Sequence, residues 1–188
     1  MGGAGAVERL ASVEARWFAA GPVPTAVAAW FEAAGEVRRE PARTDRYLRL
    51  PGVDGVGVKR REGRFEIKAR RAGAGGVVVW AGHPARLEAW LKWSAALAPL
   101  APLAPLADDA VPPVDVAKTR RLVARHGVEV ELAELAVGPR RFWTFGLEGA
   151  QAGDLEAVLA SPWAAAAPAC DIACAGGYPA WLDRVAPG

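Results

Sequence analysis

The stretch RTDRYLRLPGVDGVGVKRREGRFEIKARR, residues 43–71, constrains the fold more than any other part of the chain. It reads as three β-strands: Asp45 to Leu50, Val56 to Arg61 and Arg64 to Arg71, the last two joined by a tight turn at Glu62-Gly63. Side chains alternate across a strand with a period of two. In the third strand Phe65, Ile67 and Ala69 therefore share one face, and Arg64, Glu66, Lys68 and Arg70 the other. In the second, Val56 and Val58 oppose Gly57, Lys59 and Arg61. The predicted sheet has an apolar face that must be covered and a face crowded with cations. Like charges across a strand pair are destabilising, so the second face requires water, carboxylates or an anionic ligand.

A chain of 188 residues is long enough for one good core, and one domain is expected over 1–188. The net charge of +2 supplies no global field for nucleic acid, so any basicity is local. No apolar run approaches the roughly 20 residues that span a bilayer. The N-terminal residues lack a charged start followed by an apolar core, so no signal peptide is read and a cytoplasmic location is expected. Cys170 and Cys174 form a single Cys-x3-Cys with no second pair, which does not make a zinc site and is expected to stay reduced. His83 and His126 are far apart, lack the spacing of a helical metal site, and are assigned to loops or surface.

Along the chain, Ser12 to Phe18 alternates as an opening strand after a loose lead-in, with Val13, Ala15 and Trp17 on one side. Thr25 caps a helix to about Ala34. Arg38, Arg39 and Arg43 precede the three strands and are read as solvated. Val77 to Ala81 is a short apolar strand. Pro84 opens a second predicted helix to about Leu97, with Leu87, Trp90, Leu91 and Trp93 at helical spacing. Three tandem Ala-Pro-Leu units then break the helix, because proline lacks an amide donor, and 98–113 is read as a stiff extended crossover. The second half begins again: strands at Val114 to Ala124, Val128 to Val137 and Arg140 to Gly149, a helix at Asp154 to Leu159, a possible strand at 169–175 and a helical turn at Pro179 to Val185.

Each half, about 12–97 and 114–185, thus gives strands, a hairpin and a helix. Many antiparallel strands with one charged face imply a closed sheet with its charges inward. The fold expected is α+β: an eight-stranded antiparallel closed barrel, or tunnel, built from two pseudo-repeated halves with helices outside. Tryptophans 17, 30, 90, 93 and 143 are assigned to the layer between sheet and helices.

The segments SVEARWF, DRYLRL, GVKRREGRFEIKAR, LEAWLKWS, KTRR, GVEVELAEL, FWTFGLEG and YPAWL, taken together, resemble the CYTH superfamily, the triphosphate tunnel metalloenzymes. The resemblance implies an eight-stranded barrel whose inner carboxylates hold Mg2+ or Mn2+ and whose lysines and arginines hold a triphosphate. Carried over residue by residue, it implies phosphate-binding roles for Arg16, Lys59, Arg61, Lys68, Arg70, Lys118 and Arg120. It implies metal-binding roles for Glu14, Glu129, Glu131 and Glu148, with Glu129 and Glu131 as the catalytic pair. Two motifs depart from the family pattern. The opening Glu-x-Glu-x-Lys reads Ser12, Glu14, Arg16, and a later Glu-x-Glu reads Gly146, Glu148. The phosphate side is better preserved than the metal side.

Three functional readings fit the sequence. One is a metal-dependent hydrolase of inorganic triphosphate, thiamine triphosphate or a nucleotide. Another is a tunnel that binds a phosphate-rich anionic metabolite without turnover. The third, a nucleic-acid binder stacking bases on Tyr47 and Phe65, is disfavoured because Phe65 alternates onto the apolar side and net charge is low.

Overall fold

The computed structural model describes residues 7–73, 75–96 and 113–186. In chain order the elements are β1 (Glu8–Ala20), α1 (Thr25–Glu32), β2 (Arg38–Leu48), β3 (Val56–Arg61), β4 (Arg64–Arg71), β5 (Val77–Trp80), β6 (His83–Arg86), β7 (Glu88–Ala96), β8 (Pro113–Arg125), β9 (Val128–Val137), β10 (Arg140–Gly149), α2 (Ala152–Leu159), α3 (Pro162–Ala165), β11 (Cys174–Ala175) and α4 (Tyr178–Val185).

Eight strands close into an antiparallel barrel in the order β1-β10-β9-β8-β2-β3-β4-β7 and back to β1. The closure lies in β1: its first half pairs with β7, from Glu8↔Ser94 to Glu14↔Glu88, and Val13 to Ala20 pair with β10. The short β11 adds to β1 at Trp17 and Phe18. β5 and β6 form a separate hairpin.

Alternation then sorts each strand into an outer and an inner set. Ala15, Trp17 and Ala19 of β1, Val128, Val130 and Leu132 of β9, and Trp143, Phe145 and Leu147 of β10 point outward into the main core. That core is covered by Val27, Trp30 and Phe31 of α1, Leu155 and Val158 of α2, and Val78 and Trp80 of β5. Trp80 stacks on Phe145 at 4.2 Å and Trp30 on Trp163 at 4.3 Å. A second, smaller core lies inside the barrel. Phe18, Tyr47, Val116, Ala133, Leu135, Val137 and Phe142 surround Trp181, Leu182 and Val185 of α4. One end of the barrel is thereby filled with apolar side chains, and the charges are confined to the other end.

The hairpins β3–β4 and β9–β10 have the bounds read from the sequence. The turn at Glu62-Gly63 takes positive φ at both residues, 48° and 74°, as a two-residue hairpin with right-handed strand twist requires.

Other expectations are corrected. Residues 84–97 form no helix: His83–Arg86 and Glu88–Ala96 are strands. Leu91 and Trp93 face one side of β7 and Trp90 the other, so both faces carry apolar residues and the period of two is hidden. The first half therefore has no helix after its hairpin, and the barrel takes five strands from it and three from the second half. Trp90 lies within the tunnel, not in the layer beneath the helices. The strand expected from Asp45 begins at Arg38, and a bulge between Glu40 and Arg43 breaks its alternation. β1 starts at Glu8, inside the segment read as a loose lead-in. The strand expected at 169–175 is two residues long. The main core does not reach the apolar face of β4: Phe65 is half-buried and Ile67 is 36 % exposed. The crossover read at 98–113 lies outside the described residues except for Pro113.

Candidate functional site

The charged part of the barrel interior encloses a cavity of about 420 Å³, within the range of small-molecule sites. Strand register determines which side chains share it. Around the wall at one level, Glu88 faces Glu14, Glu14 faces Glu148, and Glu148 faces Glu129. One step nearer α4, Arg16 faces Gly146 and Gly146 faces Glu131. Across the barrel, Lys59 faces Glu66 and Lys68 faces Lys92. α4 makes the floor. Tyr178 stacks on Tyr47 at 5.6 Å, and Lys118 Nζ lies 3.7 Å from the centre of the Tyr178 ring.

Of the residues named from the sequence, Arg16, Lys59, Arg61, Lys68, Lys118, Arg120, Glu14, Glu129, Glu131 and Glu148 all line this cavity. Arg70 does not; it turns to the rim and pairs with Asp54 at 2.8 Å and Glu88 at 3.0 Å. The charged and aromatic lining residues that the sequence does not mark as site residues include Arg43, Glu66, Trp90, Lys92 and Tyr178. The β2 bulge disrupts the pattern that would mark Arg43, and the helical spacing of 84–97 hides Trp90 and Lys92. Glu66 stood in plain alternation with Lys68, which was signal enough. Tyr178 begins the helix that became the floor, and no local pattern marks that role.

Nearly every carboxylate here is committed to a cation. Asp45 is 0 % exposed and receives Lys118 at 3.0 Å, Lys59 at 3.2 Å and Arg43 at 3.1 Å. Burial alone would raise its carboxyl, but Lys118 and Lys59 outweigh it and hold it well below the usual range. Glu131, 5 % exposed, is gripped by Arg16 at 2.5 Å and by Arg120. Burial again pushes its carboxyl up, and Arg16, Arg120 and Lys118 together bring it far down. Arg120 also reaches Glu40 at 2.6 Å and Glu129 at 3.4 Å. Glu66 receives Lys59 at 3.1 Å and Arg61 at 3.4 Å. Glu14 pairs with Lys68 and accepts from Ser12 at 3.0 Å, yet burial wins and its carboxyl is raised.

Eight lysines and arginines line the cavity against five glutamates. Asp45 and Glu40 stand just behind the wall and the Arg70–Glu88 pair at its rim, and with all four counted the cations lead by nine to eight. Among the described residues, Lys92 has no carboxylate within ion-pair distance, although it stands beside Lys68 across the strand pair. Its repulsion with Lys68 is offset only at longer range, by Glu66 and Glu148, whose carboxyls it helps to lower.

The carboxylates that the resemblance would assign to a divalent ion do not fit one as they are arranged. Among the described residues no three acidic, His or Cys side chains converge to hold a metal. Glu131 has both oxygens on arginines, and Glu14 is held by Lys68 and Ser12.

Away from the cavity, Cys170 and Cys174 form no disulfide. His83 Nε2 is 2.8 Å from the carbonyl oxygen of Cys170, and His126 occupies the turn between β8 and β9 with φ 51°. No helix among the described residues is long and apolar enough to cross a membrane.

No protein-family model matches the chain, and no curated protein matches it in sequence. Among solved structures it is similar to the PH1012 protein of Pyrococcus horikoshii OT3, with 15% identity and a TM-score of 0.44 over 77% of this chain and 82% of that one.

Proposed function

We propose that the tunnel is a binding site for a small, phosphate-rich anion, as the resemblance to the CYTH superfamily implies. The observation that carries this reading is the surplus of cations around the cavity, with Lys92 next to Lys68 and in direct ion-pair contact with no carboxylate among the described residues. Such a cluster gains from an anion that several cations share, and charge-assisted hydrogen bonds to phosphate are the stronger kind. Arg16, Arg61, Arg120, Lys59, Lys68 and Lys118 are the phosphate-facing groups, joined by Arg43 and Lys92. A triphosphate tail suits a cavity of this size and leaves the organic part of the ligand to the mouth. The test is thermal stabilisation by inorganic triphosphate, with sulfate as the control. A ligand at one hundred times its Kd raises stability by about 2.7 kcal/mol. Equal effects of triphosphate and sulfate would remove the reading.

Triphosphate hydrolysis with Mg2+ or Mn2+ is the second reading. The observation on its side is the row Glu88, Glu14, Glu148, Glu129, which brings acids from four adjacent strands to one level, although among the described residues no three of them converge on a common point. Its test is phosphate release from inorganic triphosphate, thiamine triphosphate and ATP with either metal and with chelator.

A further inference from the structure

The guanidinium of Arg16 lies over Gly146, its cross-strand partner. A Cβ at 146 would stand 2.7 Å from Arg16 Cζ and 2.8 and 2.9 Å from its two Nη atoms. The absent side chain is thus the space that the guanidinium fills. From there Arg16 Nη1 donates to Glu131 at 2.5 Å, while Arg120 Nε takes the other oxygen of the same carboxylate. Two positive charges therefore already meet Glu131 within the cavity wall, as many as a divalent ion would bring. Glu14 also meets a resident cation, Lys68, though only one.

We infer that these resident cations stand in for a metal: the tunnel takes a phosphate-rich anion without a divalent ion, and Glu131 is the internal counter-ion that the anion displaces from Arg16 and Arg120. This deepens the binding reading above and rests on it. Guanidinium is a planar fork that matches carboxylate and phosphate alike, so a phosphate oxygen pair can replace the Glu131 carboxylate on the same donors. The displaced acid then costs affinity by like-charge repulsion with the ligand. If Glu131 were instead a metal ligand, its removal would weaken binding. The two roles have opposite signs.

The experiment is calorimetric titration with inorganic triphosphate in chelator and in Mg2+, on the unaltered chain and on Glu131→Gln. The expected result is the same Kd with and without metal, and a Kd about tenfold tighter in Glu131→Gln, the equivalent of a single relieved repulsion. Binding that requires Mg2+ and is lost in Glu131→Gln would overturn the inference and leave the binding reading standing. Metal-independent binding that is unchanged or weaker in Glu131→Gln would overturn the displacement role. No binding in any condition would sink the binding reading itself and this inference with it. The comparison of chelator with Mg2+ uses the unaltered protein, so it stands even where the variant folds poorly.

Discussion

Arg16 and Gly146 are partners on β1 and β10, and the guanidinium of the first occupies the place where a side chain on the second would begin. Read separately, the arginine and the glycine are two departures from the motifs of the resembling family. In three dimensions they are one arrangement, because the larger cation requires the missing side chain.

Gly146→Ala tests that arrangement. The new Cβ pushes against a guanidinium that is buried and tied to Glu131. The expected cost is about 1–2 kcal/mol of stability, as for other overpacked sites, with weaker triphosphate binding. Chemical denaturation and titration of the variant measure both.

Asp45 holds the cationic wall together from behind. Asp45→Ala leaves Lys59 and Lys118 facing each other without their carboxylate, and Lys118 is itself buried. Breaking a buried pair from one side costs about 3–5 kcal/mol, so the melting temperature is expected to fall by many degrees. Loss of less than about 1 kcal/mol, the scale of an exposed pair, would show that the pair is solvated.

Acid should unfold the protein through these same groups. Asp45 and Glu131 have folded carboxyls held far below their ordinary values, with Glu40 and Glu66 shifted the same way. A lowered folded value means that the stabilisation is fully present above the unfolded value, about 4, and is lost as pH falls toward the folded one. Glu14 is shifted upward and acts in the opposite sense, but four groups outweigh one. Melting temperature is therefore expected to hold at neutral pH and to drop steeply below about pH 4. A flat profile through that range would contradict the buried ion pairs.

The floor of the tunnel depends on Trp181. It is 2 % exposed and stacks on Phe18 at 4.9 Å with an interplanar angle of 4°. Trp181→Ala is expected to cost about 3–5 kcal/mol, as for other buried aromatics. It should also weaken ligand binding, because α4 carries Tyr178 against Lys118 and Arg16. Denaturant melts and titration report the two effects.

Much of the barrel was legible because the charged alternation of β3, β4 and the start of β9 is clean and the turns of both hairpins carry a glycine, Gly63 and Gly138. Legibility failed in β7, whose apolar residues on both faces also fit a helical period and which no hairpin turn frames. Trp90 inside and Leu91 and Trp93 outside gave β7 the spacing of a helix, and Glu88 and Lys92 were hidden with it. It failed again at β2, where the bulge after Glu40 moved Arg43 inward against the local pattern. Which cation meets which acid was beyond reach of the sequence, since partners such as Arg16 and Glu131 are 115 residues apart and meet only on closure.

Lys92 separates a ligand site from a structural charge cluster most directly. It lines the cavity with no carboxylate in direct ion-pair contact among the described residues, and the fold feels its charge only through longer-range attraction to Glu66 and Glu148. Lys92→Ala is expected to change stability by less than about 1 kcal/mol, because relief of the Lys68 repulsion and loss of the attraction to Glu66 and Glu148 oppose each other. The measurement is calorimetric titration of inorganic triphosphate into the unaltered chain and Lys92→Ala. Saturable binding that becomes about tenfold weaker in the variant, the loss of one charge-assisted contact, is the expected result. Absence of binding, or equal affinity in both proteins, would contradict the account.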